Sequence, residues 1–81
     1  MKSLTKNEFK TIAQSALECE YGFSPLKKQI ILLESNGDGT YILFKVKENI
    51  YSFHSELRFD SKDGKCLGVW IGKGTIERET R

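Results

Sequence analysis

The chain has 81 residues, thirteen basic and eleven acidic, for a formal net charge of +2. That length suits one domain, able to bury only about 60–65% of its unfolded surface, so the core must be small. An apolar share of 38% with a single proline excludes a disordered chain, and the interleaved charges lack the basic excess of a dedicated nucleic-acid binder.

No apolar run approaches the about 20 residues that span a bilayer. The first ten residues, "MKSLTKNEFK", carry no apolar core of a signal peptide. The expectation is a single small domain over 1–81, soluble and cytoplasmic, with no membrane partner.

The first element is a helix within "LTKNEFKTIAQSALECEYG". Thr5 is placed as its N-cap, and Glu8 three residues on closes a capping box. Leu4 and Phe9 are spaced as a hydrophobic staple across the first turn. Phe9, Ile12, Ala13, Ala16 and Leu17 recur at helical spacing and form one apolar stripe, with Cys19 on its margin and partly buried. Gly22 is the expected stop, and Pro25 confirms the break.

Beyond Pro25 the hydrophobic period changes from 3.6 to 2. "KKQIILLES", "TYILFKVK", "IYSFHSELRFD" and "KCLGVWIG" read as four strands, with 75–81 as a polar C-terminal tail. Between the first two lies "ESNGDGTYILFK", in which Glu34, Asn36, Asp38 and Gly39 mimic the opening of an EF-hand loop. An EF-hand requires flanking helices and a bidentate acid at its twelfth position, where this chain has Lys45. Asn, Gly and Asp are also what a hairpin turn demands, so the stretch is read as a turn and no metal site is expected.

Turn chemistry then sets faces. A three-residue loop at 37–39 with Gly39 left-handed turns Ile30 and Leu32 inward; a two-residue Asn-Gly turn would turn Ile31 and Leu33 inward instead, and the first is favoured. A two-residue turn at Glu48-Asn49 places Val46 opposite Tyr51 and Phe44 opposite Phe53. A loop at 62–64 places Phe59 opposite Leu67, Leu57 opposite Val69 and Ser55 opposite Ile71. The last two hairpins agree on which residues of the third strand face inward, as a true meander requires. The expected fold is α+β: one N-terminal helix packed on a four-stranded antiparallel meander.

The residues that could carry chemistry are few. His54 is the only histidine, set on the outer face beside Glu56 and opposite Leu43, with no nucleophile or second ligand at hand. Cys19 and Cys66 are too few and too distant for a zinc motif, and point to opposite sides of the sheet, so both are expected as free thiols. "GKG" at 72–74 lacks the third glycine and following apolar helix of a phosphate loop. No catalytic set, cofactor or metal emerges.

What remains is the sheet face away from the helix. It is expected to display Tyr41, Leu43, Lys45, His54, Arg58 and Trp70, with Trp70, Glu56 and Tyr41 in one cross-strand row. Large apolar groups on an uncovered face mark contact surfaces, and Trp and Tyr are enriched among interface hot spots.

The order α-β-β-β-β resembles the cystatin-type roll, and "RFDSKDGKCLGV" resembles the strand–Asp–turn–Gly–strand pattern of PepSY-type domains. Asp60 and Gly64 match that pattern, while Asp63 replaces the Thr frequent before the Gly. PepSY-type domains are commonly extracytoplasmic, and the Gln-Val-Gly-type loop of cystatin inhibition is absent here. The resemblance therefore implies a fold and transfers no functional residue. The reading that follows is a non-enzymatic module that docks a protein partner, or a second copy as a homodimer, through the outer face. The alternative is a small nucleic-acid-binding protein using Lys45, Arg58 and the same aromatics as a stacking platform, against which Glu56 argues.

Overall fold

The computed structural model describes residues 4–55 and 74–79. Helix α1 (Lys6–Tyr21) and a single 3₁₀ turn (Lys27–Gln29) precede four strands: β1 (Ile30–Ser35), β2 (Tyr41–Val46), β3 (Asn49–Ser55) and β4 (Gly74–Glu79). The strands form one antiparallel sheet in the order β1-β2-β3-β4. Helix α1 packs across one of its faces.

The helix begins where its capping chemistry places it. The backbone N–H of Glu8 donates to Thr5 Oγ1 at 3.1 Å, and that of Thr5 donates to Glu8 Oε1 at 2.7 Å, so two N-terminal donors are satisfied reciprocally. Leu4 and Phe9 are both buried, as the staple requires. Leu4 N–H also donates to the Gly37 carbonyl at 2.9 Å, tying the helix start to the β1–β2 turn. At the other end Gly22 takes φ +80°, and its N–H donates to the Glu18 carbonyl at 3.0 Å. Gln14 Nε2 then holds the departing chain through the Pro25 carbonyl at 2.8 Å.

All five residues of the predicted stripe are buried against the sheet. Cys19, expected to be partly buried, is exposed: the packed stripe ends at Leu17, and in the last turn Tyr21, not Cys19, meets the sheet through Tyr51. Its proposed contrast with Cys66 falls on a residue outside those described.

In the first hairpin Ile30 pairs with Val46 and Leu32 with Phe44, which turns Ile30 and Leu32 inward as favoured. A bulge between Leu32 and Glu34 then shifts the register, so that Glu34 faces Leu43 and Ser35 faces Ile42. The extra residue widens the expected three-residue loop: Asn36 N–H donates to the Tyr41 carbonyl at 2.9 Å, spanning four residues. Gly39 has φ +85°, the left-handed position anticipated for it. Asp38 Oδ1 accepts from Thr40 N–H (3.0 Å) and Thr40 Oγ1 (2.7 Å), so its carboxylate organises the turn.

The second hairpin corrects the sequence reading. Its turn is Lys47-Glu48, not Glu48-Asn49, so Val46 faces Asn49, Phe44 faces Tyr51 and Ile42 faces Phe53. Moving a two-residue turn by one position changes every partner by two, which keeps each side chain on its predicted face. The observed register sets Ile42 on Phe53 and stacks Phe44 on Tyr51 with centroids 5.5 Å apart, where the alternative spends Ile42 on Ser55.

The third hairpin corrects it further. β3 pairs with Gly74–Glu79, so Phe53 faces Ile76 and Ser55 faces Gly74, where Ser55 was expected to face Ile71. The stretch read as a polar tail over 75–81 thus supplies the fourth strand, and "KCLGVWIG" lies outside the described residues. Ile76 is the one buried side chain of β4, which is why composition alone did not mark it as a strand.

Candidate functional site

Alternation along the strands sorts the sheet into two faces. Ile30, Ile42, Phe44, Val46, Tyr51, Phe53 and Ile76 join the helix stripe in the core. The opposite face carries three cross-strand rows. One runs Ile31, Lys45, Ile50, Glu79; the next Glu34, Leu43, Ser52, Glu77; the last Tyr41, His54, Thr75. Four predicted residues, Tyr41, Leu43, Lys45 and His54, therefore share this face. Arg58 and Trp70 fall outside the described residues, as do Glu56 and Cys66.

The pairing within the face differs from expectation. His54 lies opposite Tyr41, not Leu43, and their rings meet at 4.9 Å with a 42° tilt. Tyr41 shares its row with His54 and Thr75, in the place the predicted row gave to Glu56 and Trp70. The cause is the two-residue shift of the β2–β3 pairing. Ser52, central in the middle row, is buried and donates from Oγ to Glu79 Oε2 at 2.8 Å. That diagonal bond crosses from β3 to β4 and fixes the Glu79 carboxylate over the sheet.

Sequence reasoning missed the apolar weight at the β1 side. Ile31 is 55% exposed and Leu33 49% exposed on β1, the strand that pairs with β2, where Leu43 is half-buried. The signal was present in the favoured first-hairpin register: turning Ile30 and Leu32 inward forces Ile31 outward. The charges are mixed across the sheet, with Glu34 on β1 beside the apolar side chains. Lys45 lies on β2, near the apolar side, while Glu77 and Glu79 occupy β4.

Among the described residues, two grooves lie beside the helix, the first sharing Ile31 with this face. One, of about 370 Å³, runs between the helix start and β1, lined by Lys6, Lys10, Lys28, Ile30, Ile31 and Leu32. The other, of about 350 Å³, lies at the opposite end, where Phe23, Pro25, Val46 and Tyr51 meet Lys47 and Arg78. Its aromatic wall continues through Tyr21, whose ring is 5.7 Å from that of Tyr51 and 6.4 Å from that of Phe23. The left-handed turn at Gly22 doubles the chain back and brings Tyr21 and Phe23 together.

No group of three or more His, Cys, Asp or Glu side chains among the described residues is arranged to hold a metal ion. No helix among them is long and apolar enough to cross a membrane. Comparison of the chain with protein-family models, with curated proteins and with solved structures finds no match.

Proposed function

We propose that the domain is a non-enzymatic interaction module that docks a protein partner through the sheet face opposite α1. The observation that carries this reading is the apolar run Ile31, Leu33 and Leu43, continued by the Tyr41–His54 pair on a face the helix does not cover. Contiguous apolar groups rimmed by charge are the usual anatomy of a contact surface. Glu34 and Lys45 beside the apolar side chains, with Glu77 and Glu79 on β4, favour a partner with an apolar centre and a rim that is mixed in charge and basic toward β4.

A nucleic-acid platform is less well supported. Lys45 and Tyr41 would serve it, but Glu77 and Glu79 stand on the same face and repel phosphate.

The test has two stages. Proteins captured by the wild-type domain but not by Leu33→Lys are identified, purified and titrated against both forms by calorimetry. The expected result is a direct 1:1 complex that Leu33→Lys and Tyr41→Ala each weaken, by about 2 kcal/mol where the residue is a hot spot. Equal binding by both variants and the wild type, or concentration-dependent dimerisation of the domain through this face, would replace the reading.

A further inference from the structure

We infer that the outer edge of β1 is a strand-addition site for a short, extended, acidic peptide segment. β1 is the terminal strand of the sheet, and among the described residues no strand pairs with its outer side. An unpaired edge presents a row of N–H and C=O groups that another chain can complete. Above this edge the groove between α1 and β1 has Ile30, Ile31 and Leu32 along its floor and Lys6, Lys10 and Lys28 around it. Among the described residues, no acidic side chain lines it.

Two features narrow the occupant. Lys6 and Lys10 are one helical turn apart, so they stand on the same side of α1, above the inner side of the edge. An added strand alternates its side chains, so every second residue faces these lysines while the others extend the exposed Ile31 side. The chemistry that fits is Asp or Glu alternating with β-branched apolar residues. The bulge between Leu32 and Glu34 breaks the ladder, which confines pairing to Ile30–Leu32 and makes the segment short.

The same features disfavour other occupants. Lysines and a bulge are common protection against edge-to-edge pairing, and a second copy of β1 would bring its own lysine rim against this one. Single-stranded nucleic acid would find cations but, among the described lining residues, no aromatic ring for base stacking. An acidic strand gains from what repels a like copy.

The site lies at the edge of the sheet and shares Ile31 with the proposed face, but does not require that the face bind a partner. The probe is a blocked seven-residue peptide alternating Glu and Val, titrated into the ¹⁵N-labelled chain. Saturable shifts should centre on the amides of Ile30, Ile31 and Leu32. N-methylation of alternate peptide amides should abolish binding if it removes the ladder bonds. Lys6→Gln with Lys10→Gln should weaken binding about fivefold, the worth of two exposed ion pairs. Lys28→Gln is a separate single change at the other end of the groove, with a smaller loss expected. Leu33→Lys, the face variant, should still bind the unmodified peptide, which separates failure of this site from failure of the face. Absence of saturable shifts overturns the inference. So does equal binding of both N-methylated registers, of a peptide with its glutamates in one block, or of an oligonucleotide of equal charge, because each outcome would mean charge alone.

Discussion

Gly74 lies directly beneath the ring of Phe53. A Cβ built on Gly74 would come within 2.5 Å of Phe53 Cε1 and Cζ, and 3.1 Å from the His54 carbonyl oxygen. Phe53 is one of the largest fully buried side chains, so its ring has little room to retreat. Gly74→Ala is therefore expected to destabilise by about 1–3 kcal/mol through overpacking. Chemical denaturation should show it as a lowered midpoint with an unchanged slope.

Lys47 should respond in the opposite direction. Its φ of +56° places a non-glycine residue in the left-handed region, which costs an L-residue about 1–2 kcal/mol. Lys47→Gly relieves that strain but adds unfolded-state freedom, leaving an expected net gain of up to about 1 kcal/mol. A lower melting temperature for the variant would contradict the left-handed turn.

The capping box makes a third prediction. Thr5→Ala removes the acceptor for Glu8 N–H and leaves that donor without its side-chain partner. The expected loss is about 1 kcal/mol, with the amide of Glu8 gaining hydrogen exchange in the variant. Thr5→Ser keeps the oxygen and should recover most of the stability.

Cys19 stands exposed on the last turn of α1. A thiol reagent should label it in the native chain at nearly the rate seen in denaturant. Peptide mapping of the product assigns the label, and strong protection at Cys19 would mean the helix end is covered.

Nucleic-acid binding tests the lesser functional reading. Phosphate contacts release counterions, so affinity for single strands should fall with a log–log salt slope of about −0.7 per contact. With Glu77 and Glu79 on the face, no binding tighter than about 10⁻⁵ M is expected at physiological salt. Micromolar binding lost in Lys45→Glu would make the face a nucleic-acid platform.

The fold was legible where local chemistry is decisive. Thr5, Glu8 and Gly22 mark the helix by cap geometry that needs no tertiary context, and the stripe from Phe9 to Leu17 names its buried face. Strand faces were legible for a related reason: side chains alternate, so the misplaced Lys47-Glu48 turn left Phe44 and Phe53 inward. Register itself was not. Asn49 looked like the turn residue because Asn tolerates the left-handed region, yet Lys47 occupies it and the gain comes from packing Ile42 on Phe53. β4 was illegible because its inward residues are a glycine, one isoleucine and an arginine. The need for that glycine appears only when Phe53 is seen above it. On the candidate site, Tyr41, Leu43, Lys45 and His54 followed from alternation, whereas the Tyr41–His54 contact required the true register.

The bond from Leu4 N–H to the Gly37 carbonyl has a kinetic meaning. The capping box and apolar stripe let α1 start from neighbouring residues, and the β1–β2 turn is equally local. The Leu4–Gly37 bond can form only once both exist and have met, closing a long stretch of chain between them. Its amide therefore reads the docking of helix onto hairpin, separately from the formation of either. In pulsed hydrogen exchange during refolding, Leu4 should become protected after Phe9, whose amide is bonded within the first helical turn, and after Gly39, whose amide is bonded within the β turn.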